Sequence, residues 1–225
     1  MTQIATPQEG LSVDAYTAIR QLIVSGSIAA GASLSERRLS EKLGISRTPV
    51  REAIRALVNE GLVKVVPMRG TFVCQLSVSD LSEINEVRHA LEGMAAYLAA
   101  SKGVNDALRE NAAALEALLA GDVLDVDKAQ QVGWEFHDAV FLCADNNRLA
   151  TMYRSLRAQS GLALQRIEHY DAQRTRKAIQ EHLEIYHAIE GGDPEQAQLA
   201  VWRHLNNAMT ARLRVLSPGN KSAKA

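Results

Sequence analysis

Three histidines in the second half of the chain have the chemistry of metal ligands. His137, His182 and His204 each fall on the apolar face of a predicted helix, and we expect all three side chains to face inward. Three neutral imidazoles can hold Zn²⁺ while leaving one coordination position open. Inward-facing histidines can equally be hydrogen-bonded core residues. The residues themselves leave both interpretations open.

A second group of residues, nearer the amino terminus, has the chemistry of a DNA-binding face. The stretch GISRTPVREAI, residues 44–54, enters a helix whose apolar positions recur at helical spacing. These positions are Val50, Ala53, Ile54, Leu57 and Val58. Arg47, Thr48, Arg51 and Arg55 therefore lie on the opposite side, where guanidinium and hydroxyl groups can bind guanine edges or phosphates. The alternative is a basic face that contacts only solvent.

Short helices separated by glycines must position these arginines. The pattern predicts a helix over residues 16–25, a second over 35–43 that Ser35 caps and Gly44 ends, and a third over 46–59. The runs LVKVV and TFVCQL then predict a β-hairpin whose turn contains PMRG. We expect residues 1–77 to form one domain, in which a helix-turn-helix is followed by this small hairpin.

From residue 78 onward the sequence predicts helices alone. Breaks at Gly103, Gly121, DNN and GGDP separate them, and Asp80 with Glu83 fits a capping box at the start of the first. The predicted ranges are 80–101, 105–120, 125–144, 147–169, 172–190 and 194–215. Six helices can close a bundle, so we expect an all-α antiparallel helical bundle over residues 78–225. The fold class is then mainly α.

Charge is distributed unevenly along the chain. The net charge is −1, but residues 1–77 carry nine Lys/Arg and six Asp/Glu, whereas residues 78–225 carry sixteen and twenty. The basic excess of +3 thus lies where a phosphate-binding face needs it. No apolar run is long enough for a membrane helix and no secretory signal opens the chain, so we expect a cytoplasmic protein with no membrane partner.

Residues 11–76 resemble the winged helix-turn-helix of the GntR family of bacterial transcription regulators. The resemblance rests on GSIAAGASLSERRLSEKLGISRTPVREAIRALVNEGLVKVVPMRGTFV. It implies double-stranded DNA as a partner, with the hairpin acting as the wing. The residues that it implies contact DNA are Arg37, Ser46, Arg47, Thr48, Arg51 and Gly70. We add Arg69, because a basic residue at the tip of the wing can reach the minor groove or a phosphate.

Residues 80–215 resemble the FCD effector-binding and dimerisation domain of the FadR-type branch of that family. The resemblance rests on VRHALEGMAAYLAA, EFHDAVFLCADNNRL and EHLEIYHAIEGGDPEQAQLAVWRHL. It implies a homodimer and a small carboxylate effector, which binds beside a divalent metal such as Zn or Ni held by one Asp and three His.

The sequence departs from this family pattern at one ligand position. Gly133 stands where the aspartate ligand is expected, so the metal either keeps three histidines or has been lost. Arg88 is predicted to bind the anionic effector together with His137, His182 and His204. The alternative for Arg88 is a structural pair with Glu92, one helical turn away.

These features favour a ligand-responsive transcription regulator over an enzyme. We expect the dimer to bind a short palindromic operator as a repressor, under the control of a small organic acid in the bundle. One alternative is a metal-dependent enzyme that uses the three histidines, although the sequence offers no evident general base. Another is an architectural DNA-binding protein that responds to no ligand.

Overall fold

Two cores of apolar side chains organise the chain, which a computed structural model describes over residues 7–165 and 171–216. The chain forms two compact units, Met1–Ser77 with Ser155–Arg166, and Val78–Arg154 with Ile167–Ala225. Each unit contains one of the cores. The protein is mainly α-helical with one small antiparallel sheet, which confirms the predicted fold class.

Twelve elements of secondary structure follow one another in the described ranges. In chain order they are α1 (Pro7–Val24), β1 (Ser33–Leu34), α2 (Glu36–Leu43), α3 (Arg47–Asn59), β2 (Val63–Val66), β3 (Gly70–Val73), α4 (Val78–Lys102), α5 (Asp106–Ala120), α6 (Val126–Ala144), α7 (Asn147–Gln165), α8 (Ala172–Glu190) and α9 (Pro194–Leu216).

Local capping determines where α2 and α3 lie. Ser35 accepts a hydrogen bond from the Arg38 amide at the start of α2, and Gly44 ends that helix at φ +69°, a conformation that glycine adopts without strain. The predicted bounds of both helices therefore agree with the structure. The bounds of α1 do not, because it begins at Pro7, nine residues before the predicted start at Tyr16. Proline suits the first position of a helix, since it has no amide hydrogen to leave unbonded.

The sheet has three strands in the order β1-β3-β2. The sequence analysis predicted the β2–β3 hairpin but not β1. Ser33 pairs with Phe72 and Leu34 with Thr71, so β1 covers the outer edge of β3. A strand of two residues carries no detectable alternation, which explains why the sequence pattern did not show it. The pairing of β1 with β3 fixes the hairpin against the segment that leads into α2.

The core of the first unit is formed by α1, α3 and the sheet. Ile19 and Ile23 of α1, Val50 and Leu57 of α3, and Val73 of β3 are almost completely buried. The apolar side of α3 is thus committed to the core, as its periodicity predicted. Its polar side is exposed as a consequence.

The second unit is the predicted all-α bundle. The bounds of the helices from residue 78 onward agree with the prediction to within two residues, apart from the end of the predicted helix 147–169, whose last residues, 166–169, lie outside the described ranges. Helix α7 is divided between the units, because its residues from Ser155 onward belong to the first unit and not to the predicted domain 78–225. Helix α4 begins at Val78, so Asp80 lies inside its first turn and not at the predicted capping position. An acidic residue in that turn still interacts favourably with the helix dipole.

Apolar side chains from several helices fill the core of the bundle. Phe136 of α6, Ile179 and Ile185 of α8, and Leu205 of α9 are fully buried. Each of these three helices therefore turns one face inward, and that face also carries one of the three histidines. Within the described ranges, no helix combines the length and apolar character that crossing a lipid bilayer requires.

Candidate DNA-binding face and histidine cluster

The first unit exposes every residue that the sequence predicted to contact DNA. All seven side chains or backbone positions are solvent-exposed: Arg37, Ser46, Arg47, Thr48, Arg51, Arg69 and Gly70. Arg47, Thr48 and Arg51 lie in the first two turns of α3, opposite the buried Val50 and Leu57. The exposed amino-terminal half of α3 thus presents guanidinium and hydroxyl donors, which are the groups that bind base edges and phosphates.

Two of these arginines form ion pairs. Arg51 Nε lies 3.0 Å from Glu36 Oε1 and Arg51 Nη2 lies 2.9 Å from Glu36 Oε2, so the pair connects α3 to α2 through both carboxylate oxygens. Arg37 Nη1 donates to Glu41 Oε1 at 2.7 Å within α2 itself. Sequence analysis missed Glu36, since a contact across fifteen residues between two helices has no local pattern.

The turn of the wing has an unusual backbone. Met68 adopts φ +61° and Gly70 φ +108°, and both of these residues and Arg69 between them are exposed. A side chain at Gly70 would be strained at that φ, which accounts for glycine there. The turn therefore holds the Arg69 backbone between two residues of defined conformation and projects its side chain into solvent.

The three predicted histidines of the second unit lie together. His137 comes from α6, His182 from α8 and His204 from α9, and one nitrogen of each lies within 4.8 Å of the other two. All three are buried, with 5–8% of their surface exposed. The inward orientation that their spacing predicted is therefore confirmed, and a single site brings them together.

Two carboxylates, the buried Glu92 and the half-buried Glu181, lie against the Nδ1 atoms of two of these histidines. His204 Nδ1 donates to Glu181 Oε2 at 2.8 Å, which requires a proton on Nδ1 and directs the other ring nitrogen, Nε2, away from the carboxylate. His137 Nδ1 lies 2.8 Å from Glu92 Oε2, at ion-pair distance but outside hydrogen-bond geometry. Glu181 therefore constrains the orientation of its histidine more tightly than Glu92 does.

Each of these carboxylates is paired in turn with an arginine. Arg88 Nε donates to Glu92 Oε1 at 2.5 Å in a pair that is almost wholly buried. Arg174 donates to both oxygens of Glu181 at 3.1 Å. Arg88, predicted to bind an effector, thus makes the structural pair that was its alternative role, and that pair lies against the histidine cluster. No sequence pattern indicated Glu181, because its partner His204 is on another helix.

Burial and neighbouring charges shift the pKa values of the cluster. Burial lowers the pKa of His204 to about 4, against the opposing hydrogen bond to Glu181. Burial, and then the charges of His204 and His137, lower the pKa of His182 well below its usual value. Burial by itself would raise the pKa of Glu92, but Arg88 and His137 outweigh it and lower that pKa. The cluster therefore holds neutral His182 and His204 beside an ionised carboxylate at neutral pH.

His182 occupies the space beside the position of the missing aspartate. Its ring stacks on Phe136 with centroids 4.8 Å apart, and its Nδ1 is buried without a hydrogen-bond partner in the described ranges. A Cβ atom placed on Gly133 would lie 3.0 Å from His182 Cε1. A side chain at residue 133 would therefore require this imidazole to shift by a few tenths of an ångström. The present position of His182 thus favours glycine at residue 133.

The geometry of the cluster fits a divalent cation. Nitrogen ligands on one tetrahedral metal, with bonds of about 2.0–2.1 Å, are separated by about 3.4 Å. The Nε2 atoms of His137 and His182 are 3.3 Å apart, a distance that also suits a hydrogen bond between two neutral rings. The ligand nitrogen of His204 lies within 4.8 Å of the other two. Three buried imidazoles, two of them held by carboxylates, are a donor set that Zn²⁺ or Ni²⁺ accepts.

Comparison with known proteins identifies both units. Residues 11–73 match "Bacterial regulatory proteins, gntR family", and residues 83–207, more than half of the chain, match "FCD domain". The chain belongs to the GntR family. The family resemblance found in the sequence is therefore confirmed for both parts, and the GntR protein described here is a DNA-binding transcription regulator with an FCD domain.

Individual relatives agree with this assignment. The chain is 33% identical over 189 residues to the "Probable D-xylose utilization operon transcriptional repressor" of Paenarthrobacter nicotinovorans, covering 81% of this chain and 80% of the relative. Its fold matches Escherichia coli McbR/YncC with a TM-score of 0.73 at 23% identity, covering 95% and 100% of the two chains. A GntR regulator of Rhodococcus sp. RHA1 matches with a TM-score of 0.71 at 25% identity, covering 91% and 98%.

The alternative of a metal-dependent enzyme gains no support from the site. Several relatives of this chain are named as transcriptional regulators or repressors. Glu135, the acidic residue closest in sequence to His137 on its amino-terminal side, is exposed and accepts a hydrogen bond from Gln131 on the outer side of α6. It therefore points away from the histidines.

Proposed function

We propose that this GntR regulator senses a small carboxylate effector at the cluster of His137, His182 and His204, where a divalent metal such as Zn²⁺ or Ni²⁺ binds with it. The observation that carries the proposal is the convergence of three buried imidazole nitrogens from three helices within 4.8 Å. A hydrogen bond between two rings can account for the approach of His182 to His137, whereas a metal also accounts for the third nitrogen, that of His204. Zinc sites with three protein ligands commonly leave a fourth position to water or to a bound molecule.

The charge balance of the site explains why metal and effector depend on each other. Arg88 neutralises Glu92 and Arg174 neutralises Glu181, so these two pairs contribute no net charge beside the histidine cluster. A divalent cation then introduces two positive charges into a buried site, which is costly without compensation. An anionic effector supplies that compensation and occupies the open coordination position. The missing aspartate at Gly133 thereby favours a carboxylate as the fourth ligand.

Calorimetry on metal-depleted protein tests this proposal. We expect chelator-treated protein to bind a panel of mono- and dicarboxylic acids weakly, and added Zn²⁺ or Ni²⁺ to restore binding. His182→Asn should abolish metal binding, whereas His187→Asn should not. His187 is a matched control because it lies on the same helix but is largely exposed, next to Glu190.

Two results would contradict the metal at this site. One is protein that retains no metal after purification without chelator and binds a carboxylate equally well with and without chelator. The other is carboxylate binding that strengthens as the pH falls, which indicates protonated imidazoles acting as the partners of the carboxylate in place of a metal.

We also propose that the protein is a cytoplasmic homodimer that represses transcription from a short palindromic operator. A two-fold dimer presents two copies of α3, and such pairs recognise half-sites about one turn of DNA apart. We expect sedimentation of the full chain to give twice the monomer mass, and gel shifts on an operator selected from random DNA to weaken when effector and metal are added. A monomer, or a complex indifferent to both, would overturn this assignment.

A further inference from the structure

Glu36 is an acidic side chain in the middle of a surface that must bind a polyanion. It occupies the first turn of α2 and engages Arg51 of α3 with both carboxylate oxygens. A carboxylate at such a face repels phosphate groups, so its presence there requires a compensating use. The hydrogen bonds from Arg51 to both carboxylate oxygens suggest what this use is.

The geometry leaves the other edge of the Arg51 guanidinium available. A guanidinium has five N–H donors, and Glu36 takes the one on Nε and one of the two on Nη2. Both hydrogens of Nη1 and the second hydrogen of Nη2 make no contact with Glu36. These form the terminal fork that matches O6 and N7 of guanine. Glu36 thus holds Arg51 by its side edge without covering the donors that contact a base.

Other charged residues of the face show that this arrangement is specific. Arg37 is paired with Glu41 along its own helix, where both side chains are about 60% exposed. Arg47 makes no ion pair with any residue that the structure describes. The hydrogen bonds from Arg51 lower the pKa of Glu36, and the charges of Arg47 and Arg55 act in the same direction. Glu36 is therefore ionised at neutral pH and connects two helices through one arginine.

We propose that Glu36 is a positioning residue that fixes the Arg51 guanidinium for contact with one base pair, and so determines sequence specificity without touching DNA. The inference rests on the DNA-binding function of α3. Side-chain entropy explains how positioning helps recognition. An arginine that is already oriented loses less conformational freedom when it forms its two hydrogen bonds to a base.

Selection from a randomised duplex DNA library tests the proposal with the full-length protein. Wild type defines the preferred site, and Arg51→Ala identifies the base pair at which preference depends on Arg51. We expect Glu36→Gln to lower the preference at that same base pair by about tenfold, within the discrimination of one bidentate contact, and to leave the other positions unchanged. Glu52→Gln is the matched control, since it removes the same charge from an exposed position of α3 next to Arg51.

A second variant separates positioning from simple repulsion. Glu36→Asp keeps the negative charge but shortens the side chain by one methylene, so we expect it to lose the same base preference as Glu36→Gln. If Glu36→Asp behaves as wild type while Glu36→Gln binds all sequences more tightly, the residue acts by charge alone and the proposal is wrong. An unchanged base preference in both variants also overturns it. A wild-type protein that selects no site would overturn the DNA-binding function itself, and the inference with it.

Discussion

Two of the protein's arginine–glutamate pairs have the same chemistry in opposite environments. Arg51 and Glu36 form theirs on the surface of the first unit, where the side chains are 55% and 36% exposed. Arg88 and Glu92 form theirs inside the bundle, where the side chains are 4% and 2% exposed. Water solvates either member of the first pair if its partner is lost. Burial leaves the members of the second pair almost no contact with solvent.

This difference assigns the two pairs different tasks. An exposed ion pair contributes little to the free energy of folding. The role of the Arg51–Glu36 contact is therefore to orient the Arg51 guanidinium. A buried pair is costly to form and costlier to break, because a remaining charge is left without compensation. The Arg88–Glu92 pair therefore holds a fixed charge distribution against the histidine cluster. The predictions below test this contrast, from the largest expected effect to the smallest.

Breaking the buried pair should have the largest effect. Arg88→Met leaves the Glu92 carboxylate buried without its main counter-charge, and we expect the free energy of unfolding to fall by about 3–5 kcal/mol. Urea denaturation measures this loss. The double variant Arg88→Met/Glu92→Leu removes both charges and should recover most of it. A loss below about 1 kcal/mol in the single variant would show that the two pairs do not differ as proposed.

Acid should destabilise the metal-free bundle through its histidines. The pKa of His204 is lowered to about 4 and that of His182 is lowered well below its usual value, so both contribute stability that is fully present above the unfolded pKa of about 6.5. Below that pH the unfolded state binds more protons than the folded state. Stability then falls by up to about 1.4 kcal/mol per pH unit for each histidine, as the pH drops towards the folded pKa.

Denaturation of chelator-treated protein between pH 7.5 and pH 5 measures this slope. The range stays above the usual pKa of carboxyl groups, so Glu92 and Glu181, whose pKa values are lowered, remain ionised in both states. His182→Asn should flatten the slope and His187→Asn should leave it unchanged. Stability that is constant or rises over this range would contradict the burial of neutral imidazoles.

Removing Arg51 should affect DNA binding and leave folding intact. We expect Arg51→Ala to weaken binding to the selected operator by roughly 5- to 150-fold, the range of one bidentate base contact. The unfolding midpoint of this variant should match that of wild type, because the Arg51 side chain is exposed to solvent and is not part of the core. Arg203→Ala is the control for charge, since Arg203 is an exposed residue of the bundle. Equal operator affinity in the two variants would exclude a role for Arg51 in recognition.

The smallest expected effect is that of Glu36→Gln on stability. The exposed pair loses one charge and both side chains remain solvated, so we expect a loss of at most about 1 kcal/mol, which includes the interaction of Glu36 with the dipole of α2. Comparing the change in the free energy of unfolding of this variant with that of Arg88→Met shows how burial alters the contribution of an arginine–glutamate pair. A destabilisation similar to that of Arg88→Met would mean that Glu36 stabilises the packing of α2 on α3, and its proposed use in recognition would lose its basis.

Local patterns predicted much of the fold. The bounds of α2 followed from Ser35 and Gly44, and the exposed side of α3 followed from the spacing of its apolar residues, because capping and periodicity act within a few residues. The edge strand β1 was missed, since two residues cannot show an alternation. The start of α1 was missed as well, because its early turns show no clear apolar stripe to mark them.

For the candidate sites as well, local patterns predicted some features and tertiary packing decided the others. By itself the sequence determined which residues face inward and which face outward: His137, His182 and His204 on apolar stripes, and Arg47 and Arg51 opposite one. Only the tertiary structure decided the partners, because pairs such as Glu181 with His204, or Glu36 with Arg51, join side chains from different helices. Helical periodicity fixes the direction of a side chain relative to its own axis. The contact it makes depends on how two axes pack, which is a property of the whole unit.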